Sequence, residues 1–100
     1  MNRELLPSPV SRLPSPAFLR AVRRHLKRHP QDAGLIDATF QLLTANAFDP
    51  RLRTHKLKGD LEGVWACSAG YDLRMLFEFV QHKNAEAILL LTMGSHEEVY

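Results

Sequence analysis

The spacing of apolar residues changes once along this chain, near Gly59, and this change restricts the possible folds more than any other feature. Before Gly59, apolar residues recur three and four positions apart, the spacing that places them on one face of an α-helix. After Gly59 they alternate with polar residues or form one short continuous run, as in β-strands. Helices followed by consecutive strands predict an α+β domain.

Two helices are predicted before this change. Ser15 is suited to cap the first helix and Pro16 to begin it, whereas Pro30 ends it. The second helix extends from about Asp32 to Asn46. The residues expected to face the core are Phe18, Leu19, Val22 and Leu26 in the first helix, and Leu35, Ile36, Phe40, Leu42 and Leu43 in the second.

An antiparallel meander is predicted after the change. Strands are expected at residues 62–69, 71–80 and 86–93, with a turn at Gly70 and a hairpin loop at Gln81–Asn84. Gly94 is expected to end the last strand and leave residues 95–100 as a short tail. In the middle strand, alternation places on one face Tyr71, Leu73, Met75, Phe77 and Phe79, and on the other Asp72, Arg74, Leu76, Glu78 and Val80.

The first 16 residues contain four prolines, which exclude a central strand there. They permit a short edge strand near Val10–Leu13, or an extended arm covering residues 1–14. The sheet is therefore predicted to have three to four strands within a single domain, residues 1–100.

Charge and cysteine content narrow the function classes. Residues 1–58 carry eleven Lys and Arg against four Asp and Glu, and residues 59–100 carry two against seven. The basic half favours an anionic partner such as nucleic acid, although a solvated helix surface gives similar counts.

The sequence also favours a reducing, cytoplasmic location, because it has a single cysteine, Cys67, and no apolar signal-peptide segment. No apolar run is long enough to span a membrane, and no zinc-type spacing is present, so neither membrane nor cofactor is expected.

Three polar residues are candidates for chemistry. Asp72 and Arg74 lie two apart on one strand and so share a face, where a solvated ion pair is the simpler interpretation. His96 follows the last strand, and a histidine is the natural proton donor or acceptor near neutral pH. On its own it equally fits an exposed histidine in a frayed tail.

The segment joining helices to sheet, His55–Gly59, is basic. Its lysines, Lys56 and Lys58, can bind phosphate, or can simply be solvated. Trp65 and Tyr100 could stack on the bases of single-stranded RNA. Trp65 is more often a core residue, and Cys67 on the same strand face is expected to be buried and inert.

Taken together, four stretches resemble the RelE/ParE superfamily of type II toxins, and within it the YafQ-like and RelE/StbE-type mRNA interferases. The resemblance follows residues 15–100 in element order and is sharpest over residues 55–100. Each stretch alone is a weak signal, but the combination is specific. The stretches are His55-Lys56-Leu57-Lys58-Gly59, Gly63-Val64-Trp65, Gly70-Tyr71-Asp72-Leu73-Arg74-Met75-Leu76-Phe77-Glu78-Phe79 and Gly94-Ser95-His96-Glu97-Glu98-Val99-Tyr100.

The resemblance implies two helices on a curved antiparallel sheet, metal-independent cleavage of mRNA on the ribosome, and neutralisation by a cognate antitoxin. Operator DNA would be bound only through the antitoxin complex. The matched positions are His55, Asp72 and His96 as YafQ-type catalytic residues, Tyr100 as an aromatic of that group, and Arg74, Lys56 and Lys58 as RelE-type basic residues.

The chain departs from this pattern at two positions and at its start. Ser68 stands where YafQ-type members have a histidine, and Leu73 where they have a tryptophan. The proline-rich residues 1–16 replace a regular first strand. Because serine cannot act as a base near neutral pH, the route of proton transfer is the part that this departure affects most.

The expected reaction is attack of a ribose 2′-hydroxyl on the adjacent phosphorus, giving a 2′,3′-cyclic phosphate. His96 would be the general acid, and Asp72 or His55 would be the base or would orient it. Arg74 and Lys56 would stabilise the phosphorane.

Two alternative functions fit the same fold. One alternative is a ParE-like inhibitor of DNA gyrase without nuclease chemistry. Another is an inactive member that still binds antitoxin and operator DNA.

Overall fold

The computed structural model describes residues 10–100, so residues 1–9 of the proline-rich segment lie outside the described residues. In chain order the strands and α-helices are β1 (Ser11–Pro14), α1 (Pro16–Arg28), α2 (Ala33–Ala45), β2 (His55–Lys56), β3 (Trp65–Ala69), β4 (Leu73–His82), β5 (Ala85–Ser95) and α3 (His96–Val99). No helix within residues 10–100 has the length and apolarity needed to cross a membrane.

The predicted fold class, helices packed on a sheet in an α+β domain, is confirmed. The sheet has five strands in the order β1-β5-β4-β3-β2, rather than three or four. It is mixed, because β1 pairs in parallel with β5 while the other neighbours are antiparallel. The additional strand, β2, is only two residues long and lies in the basic segment that was predicted to be a linker.

Helix α1 begins as the sequence predicts. The Ser15 hydroxyl oxygen accepts a hydrogen bond from the backbone N–H of Phe18 at 3.0 Å, and Pro16 is the first helical residue. The Ser15 hydroxyl also donates to the Leu91 carbonyl at 3.0 Å, which fixes the start of α1 to β5. Phe18 and Ala21 are the buried residues of this helix, while Leu19, predicted to face the core, is 42% exposed because the packed face is centred on Phe18.

Helix α2 buries Ile36, Thr39 and Leu43. Thr39 is tolerated there because its hydroxyl donates to the Leu35 carbonyl at 2.8 Å, so this polar group is paired. Leu35, predicted to face the core, is 37% exposed, although its side chain lies against the turn at Gly70.

The two faces of the sheet bury different clusters. The main core lies on the face covered by α1 and α2, and includes the β4 residues Leu73, Met75 and Phe77. The predicted alternation of β4 is therefore confirmed at these positions. A smaller cluster of Val64, Ala66 and Leu76 lies on the opposite face, with Leu57, Leu91 and Val99 packed against it. Cys67 is buried in the main core as expected, and this burial raises the pKa of its thiol to about 12.

Strands β4 and β5 form one long hairpin whose ends differ from the prediction. Lys83 and Asn84 both have positive φ, which makes a two-residue type I′ turn and extends both strands toward it. At the other end, Gly94 does not break β5, because it pairs with Arg74 and the strand continues to Ser95. A side chain at Gly94 would contact Glu98 and Val99, so the glycine allows α3 to pack on β5.

Candidate functional site

The last residues form a short helix, α3, rather than the expected short tail. A reciprocal capping box starts it: the Ser95 N–H donates to Glu98 Oε1 at 2.7 Å, and the Glu98 N–H donates to Ser95 Oγ at 3.2 Å. The Ser95 N–H is the main cause that lowers the pKa of the Glu98 carboxyl. The capping box therefore holds His96 at the first position of a defined helix turn.

Asp72 also contacts the first residue of α3, His96, from the neighbouring strand turn. It lies in the turn between β3 and β4, and its carbonyl accepts a hydrogen bond from the His96 N–H at 3.1 Å. Its Oδ1 is 3.5 Å from the same nitrogen. The structure therefore places the Asp72 turn against the backbone of His96.

Tyr100 connects His96 to His55. The ring of Tyr100 meets the ring of His96 edge to face, with centroids 4.6 Å apart. Its hydroxyl is 3.4 Å from His55 Nε2. His55 Nδ1 is 2.9 Å from the Arg53 carbonyl, which can only accept, so Nδ1 carries a proton and Nε2 of the neutral ring accepts from Tyr100. Burial raises the pKa of the Tyr100 phenol, so this hydroxyl stays protonated near neutral pH.

Arg74 lies on the sheet face opposite α1 and α2, in register with Ser68 and Gly94 on the neighbouring strands. Its guanidinium donates to the carbonyls of Tyr71 and Leu73 at 3.2 and 3.1 Å. The positive charge of Arg74 lowers the pKa of the Tyr100 phenol, whereas burial, the larger effect, raises it. The arginine is thus held beside the Asp72 turn.

Asp72, Arg74 and His96 line one open cleft of about 970 Å³, while His55 and Tyr100 are not among its lining residues. The cleft also contains two arginines that the sequence does not predict, Arg51 and Arg53. Both lie in the irregular segment between α2 and β2, where no periodicity indicates the path of the backbone. Asp49 accepts hydrogen bonds from the Arg51 guanidinium at 2.9 and 3.0 Å, and these bonds hold the pKa of Asp49 at about 2. The residues that line the cleft are Arg51, Arg53, Ser68, Gly70, Tyr71, Asp72, Arg74, Ser95, His96 and Glu97.

The other predicted RNA-binding residues are placed elsewhere. Lys56 pairs with Trp65 across β2 and β3, and its ammonium lies over the indole ring, 5.6 Å from the centroid. Trp65 packs against the main core with Phe48 and Phe79, on the sheet face away from Arg74. Because neighbours in a strand point to opposite faces, His55 lies on the sheet face that carries Arg74 and Lys56 lies on the other. Lys58 is exposed before the 3₁₀ turn Gly59–Leu61, away from the residues that line the cleft.

The donor groups of the site do not form a metal centre. Within residues 10–100, no group of three or more His, Cys, Asp or Glu side chains is arranged to hold a metal ion. Its chemistry can be built from imidazole, carboxylate, phenol and guanidinium groups.

The fold is that of known toxins. The crystal structure of YafQ from E. coli superposes with a TM-score of 0.75 at 16% identity, covering 91% of this chain and 98% of that one. YafQ in the E. coli DinJ–YafQ toxin–antitoxin complex gives 0.74 at 17% identity, covering 93% and 99%. The YoeB/ParE toxin from Agrobacterium tumefaciens gives 0.72 at 11% identity, covering 87% and 99%.

Sequence comparison identifies the family more narrowly. None of the curated protein sequences matches this chain. The family model described as the bacterial toxin of type II toxin–antitoxin systems, YafQ, matches residues 12–100. The chain therefore belongs to the YafQ family of bacterial type II toxins.

Proposed function

We propose that this toxin is an endoribonuclease that cleaves mRNA on the ribosome and so inhibits translation. The observation that carries the proposal is the convergence of His96, Asp72 and Arg74 on one cleft, with His55 joined to His96 through Tyr100. A protein that only binds its target needs no such set of proton-transfer groups.

The reaction uses the nucleophile that RNA already contains. The 2′-hydroxyl oxygen loses its proton and bonds to the adjacent phosphorus, while the bond from phosphorus to the 5′-oxygen breaks. The 5′-oxygen takes up a proton and leaves as a hydroxyl, and a 2′,3′-cyclic phosphate remains. The site must therefore accept one proton, donate another, and stabilise the negative charge of the phosphorane.

Each of these tasks has a candidate in the cleft. The exposed imidazole of His96 is the general acid. The Asp72 carboxylate is the base or orients it, since it makes only a long contact with the His96 N–H. His55, which lies beside the cleft and is linked to His96 through Tyr100, is the other candidate for the base.

Charge stabilisation comes from the arginines of the cleft. Among the described residues, neither Arg74 nor Arg53 has a carboxylate within ion-pair distance, whereas Arg51 is paired with Asp49. The Lys56 ammonium lies over the Trp65 ring, on the sheet face away from Arg74, so the proposal gives this task to arginines instead. Arg74 and Arg53 therefore stabilise the phosphorane in this proposal.

A site this open and sparsely packed requires a second macromolecule to align the RNA. In this proposal the ribosome supplies that alignment. The partner that neutralises the toxin is a cognate antitoxin, and the E. coli YafQ is known in a toxin–antitoxin complex with DinJ. Operator DNA is contacted only through the toxin–antitoxin complex.

The test is primer extension on a defined mRNA in a translation extract, with and without ribosomes, alongside a DNA gyrase supercoiling assay. The proposal expects cuts within the translated region, only when ribosomes are present, with cyclic phosphate at the 3′ ends of the upstream fragments. Intact mRNA together with inhibited supercoiling would instead support the ParE-like alternative.

A further inference from the structure

Tyr71 is the most exposed large hydrophobic side chain of the described residues. Alternation predicts it on the core face of β4, yet it lies in the turn before that strand and is 97% exposed. One exposed aromatic ring is ordinary on a protein surface. Its position is not ordinary, because Tyr71 lines both of the clefts on this side of the molecule.

The backbone under this ring is fixed. Gly70 has φ +72°, and a Cβ at Gly70 would lie 2.9 Å from Leu35 Cδ2, so the turn packs closely on α2. The Tyr71 carbonyl accepts a hydrogen bond from the Arg74 guanidinium at 3.2 Å. The ring is thus displayed in a defined place, one hydrogen bond away from a residue of the reaction site.

A second cleft of about 640 Å³ continues beyond Tyr71, between α1 and the end of the sheet where β5 passes into α3. It shares Tyr71, Asp72 and Ser95 with the first cleft. The two clefts therefore form a continuous path across the surface, with Tyr71 at the boundary.

The second cleft carries two arginines that can bind an anion. Arg24 and Arg28 are one turn apart on α1 and have no ion-pair partner within residues 10–100. Two acidic groups lie nearby: Asp32 is 2.8 Å from His25 Nε2, and Glu98 accepts from the Ser95 N–H. The charges of Arg24 and Arg28 contribute to the lowered pKa of Glu98, although neither arginine forms an ion pair with it.

We propose that Tyr71 stacks on the base of a nucleotide next to the cleaved bond, and that Arg24 and Arg28 bind a phosphate farther along the same RNA strand. This inference rests on the proposed function. An exposed ring followed by paired guanidinium groups matches the alternation of base and phosphate in single-stranded RNA. An acidic polypeptide would use the arginines but would not need the ring.

The stacking is tested with RNA hexamers that carry 2-aminopurine at one position, in a series that moves the label along the strand. Binding is measured by fluorescence in a His96→Ala background, so that the RNA stays intact. Tyr71→Ala should weaken binding roughly 5- to 150-fold and abolish the quenching of one labelled position. Tyr71→Phe and Tyr71→Trp should preserve both.

The phosphate binding is tested with Arg24→Ala/Arg28→Ala against the control Arg23→Ala/Lys27→Ala. The control pair has the same spacing and charge on the same helix, but does not line the cleft. The first pair should lower the slope of log affinity against log salt by about 0.7 for each phosphate that the protein no longer binds, and the control should not.

Two results overturn the inference. One is equal RNA binding, or no RNA binding, by the parent and the Tyr71→Ala variant. The other is binding of a polyglutamate peptide of equal charge as tightly as RNA, with the same weakening in the Arg24/Arg28 variant. Since cleavage by the wild-type toxin is measured separately on ribosomes, either result can occur while the proposed nuclease function stands.

Discussion

The ring of His96 meets the ring of Tyr100 edge to face across one turn of α3, with centroids 4.6 Å apart. The Tyr100 N–H also donates to the His96 carbonyl at 3.3 Å, so ring and backbone hold the same pair. The orientation of the imidazole therefore depends on the helix that carries it and on the phenol packed against it.

Replacement of Tyr100 should separate packing from hydrogen bonding. Tyr100→Phe keeps the ring against His96 and removes only the long hydrogen bond to His55, so cleavage should fall by at most about tenfold. Tyr100→Ala removes both and should lower the cleavage rate about a further tenfold.

The pH dependence of the Tyr100→Phe variant should match that of the wild type. Because burial raises the pKa of the phenol, the ratio of wild-type to Tyr100→Phe rates should stay constant across the neutral pH range. A ratio that changes with pH there would show that Tyr100 itself transfers a proton.

A side chain at Gly94 should displace α3. An added Cβ would lie 2.9 Å from Glu98 Oε1 and 3.3 Å from Val99 Cγ1, so Gly94→Ala should destabilise the fold by about 1–3 kcal/mol. Gly34→Ala is the control, because nothing lies within 4 Å of its Cβ in α2, and it should stabilise by up to about 1 kcal/mol. Urea unfolding measures both. Equal stability of the two variants would mean that α3 does not pack closely on β5.

The capping box should titrate at acid pH. Hydrogen bonding to the Ser95 N–H lowers the pKa of Glu98 below its ordinary value of 4.5. A carboxyl with a lowered pKa in the folded state contributes its stabilisation fully above the ordinary value, and loses it as pH falls through the lowered one. The amide proton shift of Ser95, followed by NMR, should therefore titrate with a midpoint below 4.5, and Glu98→Gln should abolish this titration. A midpoint at or above the ordinary value would contradict the capping geometry.

Local signals in the sequence predicted the parts of the fold that local interactions determine. Ser15 and Pro16 specify the start of α1 through a cap and a fixed φ, and alternation specifies the buried face of β4. The start of α3 was equally readable, because Ser95 and Glu98 have the capping-box spacing. Gly94 resembles a strand end in the sequence, but it pairs with Arg74 and makes room for α3.

The remaining parts depend on interactions between distant segments. The pairing of β2 with β3 places His55 on the sheet face that carries Arg74 and Lys56 on the opposite face, and no feature of the basic segment alone indicates this. Arg53 lines the cleft because its own backbone is left-handed and turns the chain at that point. The surrounding stretch has no periodicity that would predict this turn. Tyr71 is exposed because it lies in the turn that starts at Gly70, and the regular strand begins only at Leu73.

The most direct test of the account compares His96→Ala with His82→Ala in the ribosome-dependent cleavage assay. His82 is an exposed histidine at the far end of β4 and serves as the matched control. Loss of a general acid should lower the rate of mRNA cleavage by about 10²- to 10⁴-fold in His96→Ala, with unchanged thermal unfolding, and His82→Ala should cut at the wild-type rate. Cleavage by His96→Ala at the wild-type rate would contradict the account.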